Sequence, residues 1–125
     1  MLFWSFIMSD SVLRAKSKEF AKNIVFLCRK MKQNGVEGAL INQLLRCGTS
    51  VGANVHEAQY AQGTKDFISK FEIALKECNE SEYWLELLYE TNSIAENDFK
   101  SFQTKCIELR RMLVSSVMTL NKQIN

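Results

Sequence analysis

The sequence contains no proline in 125 residues and only five glycines. Every turn must therefore be made without proline, and long uninterrupted helices are the favoured interpretation. Apolar residues recur at steps of three and four, whereas no stretch shows the alternation typical of a half-buried strand. We predict four helices, at about residues 11–33, 38–61, 64–91 and 96–122, with short links that favour antiparallel neighbours. The expected fold is all-α: an up-down-up-down four-helix bundle that forms a single domain over residues 1–125.

The first eight residues are an apolar extension ahead of the first predicted helix. Residues 1–7 read MLFWSFI, which lacks the basic region and the cleavage site of a signal peptide and is too short to span a bilayer. Met8 is followed by Ser9, Asp10 and Ser11, which are good N-cap residues for a helix. We interpret residues 1–7 as an upstream extension, either the product of an alternative start or a docking segment, and we expect no membrane association.

Few residues could support catalysis or bind a metal. The single histidine, His56, excludes sites with two histidine ligands, and the adjoining Glu57 points about 100° away from it on a helix. Four cysteines fall one in each predicted helix, outside any C-x-x-C pair: Cys28, Cys47, Cys78 and Cys106. A zinc site in the bundle core is conceivable, but small buried residues in a reducing cytoplasm are the expected role. We therefore predict a cytoplasmic protein that is not an enzyme and uses no metal or cofactor.

Charge is distributed unevenly, although the net charge is only +2. Between Arg14 and Lys32 the first helix has seven basic residues and one acidic residue, whereas residues 72–90 of the third helix have six acidic residues and one basic residue. One interpretation is that these two helices face each other, within one chain or between chains. The other is that the first helix presents a basic face to RNA phosphates. The candidate RNA-binding residues are Arg14, Lys16, Lys18, Lys22, Arg29, Lys30 and Lys32.

The second predicted helix has a polar stripe beside its apolar one. At about 100° per residue, five polar residues fall near one line: Gln43, Arg46, Ser50, Asn54 and Glu57. Small residues surround this stripe, including Gly48 and Gly52 in a G-x-x-x-G spacing that lets another helix approach closely. Polar side chains in a crowded helix contact must form hydrogen bonds with each other or with a partner.

The third helix has a complementary second stripe, distinct from its main apolar seam, that contains Ile73, Glu77, Glu80, Trp84 and Leu87. A helix with apolar residues on two faces usually buries both, so one face is expected to meet another subunit. Glu77 and Glu80 need a cation if they are partly buried, and Arg46 is the best candidate. Glu82 is a competing partner for Arg46, and solvated surface glutamates are the alternative.

Two segments resemble a known bacterial family of four-helix bundles. They are RCGTSVGANVHEA, from Arg46 to Ala58, and DFISKFEIALKECNESEYWLELL, from Asp66 to Leu88. The family includes proteins encoded within intervening sequences of 23S ribosomal RNA, and the chain is also similar to the accessory variability determinant of diversity-generating retroelements. The resemblance spans about residues 13–120 and includes the pattern R-x-x-x-S-x-x-x-N-x-x-E.

This resemblance implies a role for the polar stripes and an oligomeric state. The polar positions of the family correspond to Arg46, Ser50, Asn54 and Glu57, and its acidic positions on the third helix to Glu77 and Glu80. With Trp84 they form the expected structural network or interface. The family implies a homopentameric ring and, for its retroelement branch, binding to RNA and to a reverse transcriptase.

The sequence therefore favours a non-enzymatic assembly protein that oligomerises and offers its ring to structured RNA or to an RNA–protein complex. The alternative is a protein–protein adaptor or scaffold without nucleic-acid binding, in which the third helix neutralises the basic charge of the first. The two functions differ in whether the basic face of the first helix is free.

Overall fold

The computed structural model describes residues 2–124, with side chains from Asp10 to residue 123. The described chain is all-α. It has four helices and no strand: α1 (Leu2–Gln33), α2 (Gly38–Ala58), α3 (Thr64–Glu90) and α4 (Glu96–Ile124). Consecutive helices pack against each other, and α4 packs back against α1. None of the helices in the described part of the chain has a stretch long and apolar enough to cross a lipid bilayer.

The apolar stripes of the four helices form one core. The largest fully buried side chains include Phe20 and Ile24 of α1, Leu44 of α2, Phe71 of α3 and Leu113 of α4. These residues recur at the helical steps of three and four that the sequence shows, so each helix turns one face inward. All four cysteines are in this core, unpaired and buried.

Two helices, α1 and α3, end in Schellman motifs, each with one residue in the left-handed backbone conformation. After α1, Gly35 has φ 77° and the Val36 N–H donates to the carbonyl of Met31 at 3.1 Å. After α3, Asn92 has φ 59° and the Ser93 N–H donates to the carbonyl of Leu88 at 2.8 Å. Glycine and asparagine tolerate this backbone region best, which explains how short turns form without proline.

Three details of the predicted helix bounds differ from the structure. α1 begins at Leu2 instead of near Ser11, so the helix continues without a break through the residues that were expected to cap its start. Residues 1–7 were interpreted as the product of an alternative start or as a docking segment. Their side chains lie outside the described ones. α2 ends at Ala58 instead of residue 61, and α4 ends at Ile124 instead of about residue 122, while the predicted bounds of α3 agree to within one residue.

The basic helix and the acidic helix are diagonal in the bundle. α1 packs on α2 and α4, and α3 packs on the same two helices, while no contact joins α1 to α3 among the residues described. The interpretation that these two helices face each other is therefore wrong within one chain. The physical reason is connectivity: short links make each helix a neighbour of the next, which places the first and third on opposite corners.

Candidate functional site

The basic residues of α1 divide into two groups, and the first group has partners. Lys16 and Lys30 point toward α4, where the Lys16 Nζ lies 2.8 Å from Glu108 Oε1 and the Lys30 Nζ lies 3.1 Å from Asp98 Oδ2. Arg14 is held by the residues around it. Its Nη1 donates to Gln59 Oε1 at 3.0 Å, and its Nε lies 3.3 Å from Asp10 Oδ2. These three cations have partners within the chain, while more than a third of each side chain stays exposed.

The second group faces solvent and consists of Lys18, Lys22, Arg29 and Lys32, which we call the basic stripe. Lys22 lies 3.4 Å from Glu19, but both side chains are more than half exposed, and such pairs contribute little. Within residues 10–123, the other three have no carboxylate partner. Because α3 lies on the opposite corner of the bundle, its acidic residues do not neutralise this face within the chain.

Arg46 joins α2 to the second stripe of α3. Its Nη1 lies 3.3 Å from Glu77 Oε2, and its Nη2 donates to the carboxylate of Glu80. The indole Nε1 of Trp84 donates to the same Glu80 carboxylate at 3.1 Å. The Glu77 side chain is 13% exposed and that of Arg46 is 54% exposed, so the pair lies at the edge of the helix interface. Glu82, the competing candidate, pairs with Arg110 of α4 at 3.1 Å instead.

The other polar residues of α2 bond mainly to their own helix. The Ser50 hydroxyl donates to the carbonyl of Arg46 at 2.7 Å, and the Asn54 amide donates to the carbonyl of Ser50 at 2.8 Å. Glu57 lies 3.6 Å from Lys70 of α3. The structure therefore brings Arg46, Glu77, Glu80 and Trp84 together as one network, which Ser50, Asn54 and Glu57 do not join through their side chains.

The remaining polar candidates among the described residues are His56 and the cysteines. The ring of His56 packs against Tyr60, with centroids 5.7 Å apart, and not against Glu57. The Cys28 thiol donates to the carbonyl of Ile41 at 3.8 Å, and burial raises the pKa of this thiol to about 11. Across the described residues, no group of three or more histidine, cysteine, aspartate or glutamate side chains could hold a metal ion.

A groove between α1 and α4 is lined by Lys30, one of the candidate RNA-binding residues, and by residues that were not among the candidates. Its volume is about 260 Å³, and its lining also includes Asn23, Phe26 and Leu27 of α1 and Asp98, Ser101, Phe102 and Lys105 of α4. Phe26 is 56% exposed. A signal was present in the sequence, because Phe26 interrupts the basic run of α1 at a position outside the apolar stripe.

Comparison with known proteins gives one family. The 23S rRNA-intervening sequence protein family matches residues 9–115. The chain is also similar to a crystal structure described as a protein with unknown function from the S23 ribosomal protein family of Bacteroides thetaiotaomicron. That structure is 44% identical with a TM-score of 0.85, and the match covers 88% of this chain and 98% of the other. No curated protein matches the sequence.

Proposed function

Since this chain belongs to the 23S rRNA-intervening sequence protein family, we propose that it is a non-enzymatic, oligomeric helical bundle that binds structured RNA. The single observation that supports this function best is the basic stripe of α1. Its four cations are exposed, and three of them have no carboxylate partner among the described residues. A phosphate backbone is the kind of ligand that such a surface attracts.

The spacing of the basic stripe suits a backbone better than a small anion. Lys18, Lys22 and Arg29 lie on one side of α1 over about three helical turns, which is about 16 Å at 1.5 Å per residue. Cations distributed over this length contact several phosphates, each of them weakly. Binding of this kind depends on counterion release and weakens steeply as the salt concentration rises.

Oligomerisation is the second part of this proposal, as a closed ring of five chains. Ile73 of α3 is an apolar residue that is 40% exposed and lies in the stripe that carries Trp84. A second copy of the chain would cover this face, and a ring would repeat the basic stripe once per subunit. Light scattering that gives a stable monomer at micromolar concentration would contradict this part.

The second candidate function is a protein–protein adaptor without nucleic-acid binding. One observation favours it: Lys16 and Lys30 are already paired with carboxylates of α4, so the free charge on α1 is smaller than the sequence indicates. The exposed apolar residues of α3 and α4 would then contact a protein partner. The two functions predict different responses to salt.

The test compares two triple variants with the same change of charge. Lys18, Lys22 and Arg29 are changed to Glu in one variant, and Lys65, Lys76 and Lys122, exposed cations outside α1, are changed to Glu in the other. We measure the affinity for a hairpin RNA at several salt concentrations. If the basic stripe binds phosphates, the first variant loses affinity and its salt slope falls by about 2–3 for three lost contacts, while the second variant keeps the parental slope. If both variants lose the same RNA affinity, or if the RNA affinity of the parent does not depend on salt, the RNA-binding function is contradicted and the adaptor function remains.

A further inference from the structure

The groove between α1 and α4 is formed by two helices at a corner of the bundle. Phe26 stands at its rim with more than half of its side chain exposed. A single exposed phenylalanine is common by itself, but this one lies inside a basic run, between Lys22 and Arg29. Aromatic rings interleaved with cations are the common arrangement for binding unstacked bases.

One cation in the groove, Lys105, and one beside it, Arg29, contact rings and no carboxylate, whereas Lys30 pairs with Asp98 inside the groove. The guanidinium of Arg29 lies 6.0 Å from the ring centroid of Phe26, and the Lys105 Nζ lies 5.2 Å from that of Phe102. In the described chain neither residue forms an ion pair. Arg29 and Lys105 are therefore free to pair with phosphates, whereas the acidic Asp98 of the groove is already paired with Lys30.

The groove also offers polar groups that could contact the edge of a base. Asn23 of α1 and Ser101 of α4 line it, and neither side chain forms a hydrogen bond within residues 10–123. An amide and a hydroxyl both donate and accept, which suits the edges of more than one base. The volume of about 260 Å³ is below the range of about 300–1,000 Å³ for sites that enclose a whole drug-sized ligand. A single base of a longer chain matches this size better.

We propose that Phe26 is a stacking platform for an unpaired base of the RNA, with Arg29 and Lys105 placed to contact its flanking phosphates. This inference rests on the proposed RNA-binding function and names its substrate class: RNA with unstacked nucleotides, as in a loop or bulge. The basic stripe attracts the backbone without regard to sequence, whereas the groove selects for a base that can leave its stack.

The experiment uses the full chain and two RNA probes, a hairpin with a loop of unpaired adenosines and a blunt duplex of the same stem. The variants are Phe26→Ala, Phe26→Tyr, which keeps an aromatic ring, and Tyr83→Ala, an exposed aromatic on α3 as the matched control. We expect Phe26→Ala to weaken hairpin binding by about 5- to 100-fold, the effect of one lost stacked base, with the salt slope and the duplex affinity unchanged. Phe26→Tyr and Tyr83→Ala are expected to bind both probes as the parent does.

Three alternative outcomes would each contradict the inference, and they can be distinguished from one another. If the parent binds RNA with a steep salt dependence but Phe26→Ala binds the hairpin equally well, stacking at Phe26 is wrong and the proposed function stands. If Phe26→Ala changes the oligomeric mass in light scattering, the residue belongs to a contact between subunits. If the parent binds neither probe, the RNA-binding function itself fails, and the inference fails with it.

Discussion

A Cβ atom on Gly52 of α2 would lie 3.0 Å from the carbonyl oxygen of Ser17 on α1. At this position the backbone of α1 lies directly against the backbone of α2, because glycine has no side chain to separate them. One turn earlier, a Cβ on Gly48 would lie 2.8 Å from the side chain of Ile24. The G-x-x-x-G spacing thus marks a close crossing of α1 and α2, which fixes the rotation of α1 and with it the direction of the basic stripe.

The first prediction is that Gly52→Ala destabilises the fold. A methyl group at this position meets the backbone of Ser17, which cannot turn aside as a flexible side chain could. We expect the free energy of unfolding to fall by about 1–3 kcal/mol, even though alanine gains about 1 kcal/mol over glycine in helix propensity. Chemical denaturation followed by circular dichroism measures the change.

Gly38→Ala is the control for this prediction. Gly38 begins α2, and no atom lies within 4 Å of the position where its Cβ would be. This substitution should leave the stability unchanged or raise it slightly. A Gly52→Ala variant as stable as Gly38→Ala would show that the crossing relaxes without cost.

The second prediction concerns Arg46→Met. Removing the guanidinium leaves Glu77, whose side chain is mostly buried, without its cation, and takes one partner from Glu80. Because the Arg46 side chain is itself half exposed, we expect a loss of about 1–2 kcal/mol and not the larger cost of a fully buried pair. Thermal unfolding at neutral pH measures it.

A double-mutant cycle separates the ion pair from other effects of losing Arg46. Glu77→Gln alone, Arg46→Met alone and the combined variant give the coupling energy, which we expect to be favourable and about 0.5–1 kcal/mol. Lys76→Met on α3 removes an exposed cation that has no ion pair in the described chain, and it should change stability by less than about 0.5 kcal/mol. A coupling energy of zero would contradict the network.

The third prediction is a loss of stability at alkaline pH that depends on Cys28. Burial raises the pKa of this thiol from 9.0 to about 11. The folded state therefore holds the proton where the unfolded chain releases it, so the stabilisation is fully present below about pH 9 and is lost as the pH rises through about 11. The difference between the two pKa values corresponds to about 3 kcal/mol. The free energy of unfolding is measured against pH for the parent and for Cys28→Ala. The two plots should differ in slope over this pH range, and equal slopes would contradict the prediction.

The fold was accessible from the sequence because its determinants are local. Steps of three and four between apolar residues such as Phe20 and Ile24 identify the helices, and short links leave few ways to arrange them. The pairing of Arg46 with the glutamates of α3 followed from matching polar stripes on consecutive helices. Consecutive helices in a bundle must touch, so such pairs can be inferred without coordinates.

The distribution of charge over α1 could not be inferred in the same way. Whether Lys16 or Lys18 finds a carboxylate depends on which neighbour faces each side of the helix, and the sequence does not give the rotation of α4 against α1. The helix start at Leu2 was missed for another reason: good N-cap residues also tolerate positions inside a long helix. Phe26 was passed over because single exposed apolar residues are common.

The last prediction tests which face assembles the ring. Ile73 continues the stripe of α3 that carries Trp84, and its side chain is 40% exposed, whereas Met118 is a 56% exposed apolar residue on α4. A charged group buried in a contact between subunits costs far more than one in water, so Ile73→Lys should shift the mass in light scattering toward the monomer. Met118→Lys is the matched control, with the same charge added on another face, and should keep the parental mass. The reverse result would place the contact on α4, and an unchanged mass in both variants would show that neither residue lies at a subunit interface.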